Sequence, residues 1–94
     1  CDCAMRCYDT AMSGEIMPGT IVFLKKIAVE AIIPGGTYVI GSQNYILLRK
    51  VHPAAEAGER VLTLKAANDG YDSVRIAVDD VECVYRVVAQ LRLC

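Results

Sequence analysis

Apolar residues in this chain alternate with polar ones over short spans, and turn-forming residues recur between the spans. Segments Ile21–Ile27 and 28–33 are rich in β-branched and aliphatic side chains, and Pro34-Gly35-Gly36 then breaks the run, which predicts two strands and a turn. Residues 37–40 and 45–51 flank Gly41-Ser42-Gln43-Asn44, a connection that predicts an antiparallel hairpin. Small and polar residues over 53–59 predict an exposed loop. In 60–66, Val61, Thr63 and Lys65 alternate with Leu62, Leu64 and Ala66, so Leu62 and Leu64 are expected to face the core. Asn68-Asp69-Gly70 predicts a turn, and 73–78 a short strand with Val74, Ile76 and Val78 on one face. Segment 81–93 is apolar on nearly both faces, and the β-branched Val81, Val84, Val87 and Val88 disfavour a helix there. It reads as a strand buried on two sides or paired with a second subunit. The expected fold is mainly β, with coiled antiparallel sheets and a partly open barrel, in a single domain over 1–94.

Composition narrows the function classes. A hydrophobic fraction of 54% over 94 residues supports a real core and argues against disorder. Ten basic against eleven acidic residues leave a net charge of −1, without the basic excess of a domain that itself grips phosphates. No apolar run approaches the roughly 20 residues that span a bilayer, so a cytoplasmic protein is expected, with no membrane partner. The chain opens at Cys1 without a methionine, which suggests a piece of something longer. Its five cysteines, Cys1, Cys3, Cys7, Cys83 and Cys94, lack the regular spacing of a disulfide scaffold. Structural zinc prefers paired ligands two to four residues apart, and neither Cys83 nor the lone His52 has a ligand neighbour, so neither a metal nor a cofactor is expected.

The most informative stretch is Asp9-Thr10-Ala11-Met12-Ser13-Gly14, followed by Ile16, Gly19 and the apolar run Ile21-Val22-Phe23-Leu24. Further on come Gly35-Gly36-Thr37-Tyr38-Val39-Ile40, then Leu48-Arg49-Lys50-Val51, Leu64-Lys65-Ala66-Ala67-Asn68-Asp69-Gly70-Tyr71 and Val84-Tyr85-Arg86-Val87-Val88. In this order the segments resemble the C-terminal domain of LexA-like repressors and UmuD-like proteins, a serine peptidase family whose fold is shared with signal peptidase I. The resemblance aligns Ala11 with the nucleophilic serine and Arg49 with the lysine base.

Such chemistry needs a hydroxyl to attack a peptide carbonyl and a neutral amine to take its proton. Ala11 has no hydroxyl, and the guanidinium of Arg49 stays protonated at any physiological pH. The resemblance therefore implies a degenerate dyad. Substitute chemistry would use Ser13 or Thr10 with Lys50; strand alternation argues against it, because Lys50 should point away from whatever Arg49 faces. A bulge or a slip of one residue would reverse that argument. His52 reads as a surface histidine, Asp79-Asp80 as a turn and Ala57-Gly58 as a coincidental match to the bond such peptidases cut in themselves.

Three functions are expected from this. The first is the regulatory and dimerisation domain of a transcriptional repressor that reads DNA through a helix-turn-helix outside this chain; its homodimer surface would be Val84, Tyr85, Val87, Val88, Leu91 and Leu93. The second is a self-cleaving serine peptidase with the displaced pair. The third is a module holding a peptide in the vestigial cleft.

Overall fold

A computed structural model describes residues 2–8 and 10–92. Seven strands, β1 (Cys3–Arg6), β2 (Ile21–Ile27), β3 (Gly36–Ser42), β4 (Ile46–Glu56), β5 (Glu59–Lys65), β6 (Val74–Ala77) and β7 (Val81–Leu91), form one antiparallel sheet in the order β1-β2-β7-β3-β4-β5-β6. The mainly β, antiparallel expectation holds. The sheet stays open, with β1 and β6 as its edges. No helix among the described residues is long and apolar enough to cross a membrane.

Period-two alternation gives the sheet two apolar faces, and each is covered separately. The first core gathers Ile32, Tyr38, Ile40, Val51, Leu62, Leu64, Ile76 and Val84. The second, on the opposite face, joins Val22, Leu24, Val39 and Leu48 to Cys7, Met12 and Ile16. Cys7, Met12 and Ile16 are thus the lid of the second core, and Leu62 and Leu64 lie where the alternation put them.

Three segments depart from the sequence reading. Residues 28–33 leave the sheet through a 3-10 turn at Val29–Ala31 instead of continuing as a strand; Ile32 drops into the first core while Ile33 is exposed. Residues 53–59 are exposed as expected, but β4 runs on to Glu56 and meets β5 through a two-residue turn, Ala57-Gly58, with φ of 51° and 81°. Positive φ at both central residues matches the twist of a hairpin, and pairing with β3 stops at Val51, opposite Gly36, so Pro53 sits on an unpaired edge where its missing N–H costs little. The short β1 carries no alternation long enough to predict it.

Gly41 is buried in β3 opposite Cys83 of β7, and a Cβ there would lie 2.5 Å from Cys83 Sγ. Gly41→Ala should therefore lower stability by about 1–3 kcal/mol through overpacking. Urea midpoints would measure the loss, and Gly41→Ala/Cys83→Ala should recover most of it.

Candidate functional site

The turn carrying Ala11 is built by local hydrogen bonds and then closed from a distance. Ser13 N–H donates to Thr10 O, and the amides of Glu15 and Ile16 both donate to Met12 O, at 3.0 and 2.7 Å. Met12 and Ile16 project into the second core, which fixes the turn against the sheet. From the other end of the chain, Asn68 clamps it: its backbone N–H donates to Ala11 O at 2.8 Å and its Nδ2 to Thr10 O at 3.1 Å. The same Asx residue accepts the Gly70 amide, so one turn organises the other. Thr10 Oγ1 and Tyr71 OH share a hydrogen bond of 2.7 Å.

Arg49 and Lys50 leave β4 on opposite sides, and each ends against a different part of this assembly. Arg49 is 7% exposed; its Nη1 donates to Leu48 O at 2.7 Å and its guanidinium carbon lies 5.8 Å from the centre of the Tyr71 ring. Lys50 follows Leu48 in the alternation, toward the face that the turn covers, and its Nζ meets Glu15 Oε2 at 2.6 Å. Lys50 thus points away from the groups that Arg49 faces, as the alternation predicts, and it is half-buried and tied to the turn through Glu15. Both partners of that ion pair remain partly exposed, so its net worth is below about 1 kcal/mol.

The fold thus brings together Thr10, Ala11, Arg49, Asn68 and Tyr71, which are distant in sequence. What they do not make is a nucleophile and base. Ala11 is 0% exposed, so no peptide carbonyl reaches its Cβ while the turn keeps this geometry. Of the substitute groups, the Thr10 hydroxyl is engaged by Tyr71 and the Lys50 ammonium by Glu15, and Ser13 is half-buried in the turn. Among the described residues the arrangement is a set of hydrogen bonds, with the ion pair of Lys50 and Glu15, that hold a closed turn.

The remaining candidates lie apart from this site. Cys3 is exposed in β1, Cys7 is buried in the second core, and Cys1 lies outside the described residues. Among the described residues no three His, Cys, Asp or Glu side chains come close enough to hold a metal ion. His52 is half-buried and its Cε1 lies 3.7 Å from where a Cβ on Gly35 would stand. Asp79 and Asp80 are exposed in a 3-10 turn, Val78–Asp80, beside a cavity of about 480 Å³ lined also by Asn44, Tyr45, Arg75 and Glu82.

The expected pairing surface divides. Val84 is a correction: it is 2% exposed in the first core, held between Ile27 and Ile40 on the flanking strands, and cannot contact a partner. Tyr85 and Val87 are half-buried against the second core. Val88 and Leu91 are exposed at 43% and 47%, and Leu93 lies outside the described residues. Glu15 carries no signal in the sequence that ties it to β4, and Tyr71, which closes the stretch 64–71 of the resemblance, has none that ties its hydroxyl to Thr10. Comparisons with protein-family models, curated proteins and solved structures found no match to this chain.

Proposed function

We propose that this chain is the regulatory and dimerisation domain of a LexA-like, cytoplasmic transcriptional regulator without peptidase activity, pairing as a homodimer so that DNA-binding parts outside these residues are held together. The observation that carries the reading is the stagger of β7. Strand β3 pairs with it only from Val81 to Arg86, whereas β2 follows it to Leu91. Residues 87–91 therefore have one unpaired edge, next to the exposed Val88 and Leu91. A free edge of this kind is completed by the same edge of a second copy around a two-fold axis. A two-fold operator is read by a two-fold protein, so pairing raises the affinity of the readers without any contact of its own to DNA.

The closed turn supports the non-enzymatic half of the reading. A buried alanine at the nucleophile position and an arginine at the base position leave binding and assembly as the functions that the fold can still perform.

Sedimentation velocity at micromolar concentration tests it. The chain should sediment as a dimer, and Val88→Asp/Leu91→Asp should raise the dissociation constant by about 10–100-fold with little change in the thermal midpoint. Val87→Asp is a poorer probe because Val87 packs on the second core. A wild-type chain that remains monomeric would sink the proposal.

A further inference from the structure

Phe23 is the one phenylalanine of the chain, and it belongs to neither core. Its neighbours Val22 and Leu24 are both buried in the second core, so alternation turns Phe23 and Ile21 to the opposite face of β2, where both are half-buried. The register completes that face. Ala4, Phe23 and Ala89 stand side by side across β1, β2 and β7, and Arg6, Ile21 and Leu91 make the next row. Beyond the Phe23 row, Lys25 and Arg86 stand directly opposite each other. An apolar strip is thus rimmed by Arg6, Lys25 and Arg86, all exposed.

The cation pair is unusual within this sheet. Three like-charge pairs are directly opposed in the described register: Lys50 with Lys65, Glu56 with Glu59, and Lys25 with Arg86. Glu15 relieves the first through Lys50, and Arg75 relieves the second through Glu56. Among the described residues, Lys25 and Arg86 have no carboxylate within ion-pair distance. Asp2 borders the row, with its Oδ2 accepting the Lys26 amide at 2.6 Å, and Glu82 lies further along the same side of β7, beyond Val84. Like charges directly opposite one another destabilise the free domain, and an anion lodged between them removes that cost.

We propose that this face of β1, β2 and β7 docks a short protein segment with apolar anchors flanked by Asp or Glu. Strands lie about 4.8 Å apart and same-face rows about 6.8 Å apart, so the strip covers roughly 10 by 14 Å, the footprint of a segment rather than of a whole domain. Charge selects the occupant. A second copy laid face to face around a two-fold would set the same cations against each other. A nucleic acid would find one aromatic platform and, at net charge −1, no long-range attraction. Leu91 ends this strip and also stands beside the free edge of β7, but the proposal rests on the register, burial and charge around Phe23, Lys25 and Arg86 and does not draw on the regulator reading.

The test is a titration of the isotope-labelled chain with a short peptide of Leu and Phe interspersed with Glu, and with a control bearing Lys in place of every Glu. The Glu peptide should shift the amides of Phe23, Lys25, Arg86 and Ala89, and its affinity should fall at least about tenfold from low to high salt. Arg86→Glu should weaken it at least about tenfold while raising the thermal midpoint by a few degrees, since it turns a like-charge pair into an opposite-charge one. Residues with only a structural role would move the midpoint and leave the affinity unchanged. Lys25→Gln, a milder change, should weaken binding in the same direction and covers the case in which Arg86→Glu misfolds. Equal binding of the Lys peptide, shifts that map elsewhere, or an affinity indifferent to both variants would overturn the proposal. So would binding at this face of oligo-dT or phosphatidylserine vesicles but not of the Glu peptide.

Discussion

Met12→Ala is expected to lower the unfolding free energy by about 2–5 kcal/mol, the range for truncating a fully buried large side chain whose cavity cannot collapse. Met12 is 0% exposed and touches the second core, while its carbonyl accepts the two amides that close the turn. Truncation therefore loosens the lid of a core and the frame of the site together. Against a typical domain stability of about 5–15 kcal/mol the loss is large. Urea denaturation should show a lower midpoint at unchanged slope, and exchange of the Asn68 amide, which donates to Ala11 O, should quicken beyond the global effect. Met12→Leu keeps the volume and should cost less than about 1.5 kcal/mol. An alanine variant within about 0.5 kcal/mol of wild type would show that the turn of residues 10–16 does not anchor the fold.

Gly36→Ala should cost a comparable amount, about 2–5 kcal/mol, by two routes that add. A Cβ at Gly36 would lie 2.8 Å from Tyr38 Cε2 and 3.1 Å from both Tyr38 OH and Ile33 O. The Tyr38 ring is buried in the first core and cannot swing away, and its hydroxyl accepts the Ile33 amide at 2.8 Å. Displacing the ring thus overpacks the core and leaves that amide short of a partner. A double-mutant cycle with Tyr38→Leu isolates the mechanism: without the ring, Gly36→Ala should lose most of its effect, giving a coupling of about 1–3 kcal/mol. Strict additivity would place the cost in the backbone of the turn instead. The Gly35-Gly36 pair, readable in sequence as turn punctuation, therefore has a second use that only packing reveals.

Much of the sheet was legible because it is local. The hairpin of β3 and β4, the alternation of β5 and the length of β7 follow from residues that are neighbours in the chain. Residues 28–33 misled because Val29, Ile32 and Ile33 favour an extended backbone by side-chain shape, whereas the chain must leave the sheet at Ala28 for β3 to return beside β7. Residues 53–56 misled in the other direction. Pro53, Ala54 and Ala55 have little strand preference, and β5 recruits them by supplying a ladder from alongside.

The site divides the same way. That Ala11 offers no nucleophile and Arg49 no neutral amine is a matter of side-chain identity, and it holds in any fold. Sequence alone also determined the alternation that makes the chain mainly β and gives each strand two faces. Which face is covered was decided only by tertiary structure, because period two distinguishes the sides of a strand without saying what lies over them. The turn of residues 10–16, with Cys7, folds back onto one side of the sheet, buries Val22 and Leu24, and leaves Phe23 on the other side with Lys25 and Arg86. Tertiary packing likewise sent Val84 inward, where both β2 and β3 flank β7, and left Val88 and Leu91 outside, where only β2 continues beside it. Contacts such as Lys50 with Glu15 and Thr10 with Tyr71 join residues that only this packing makes neighbours.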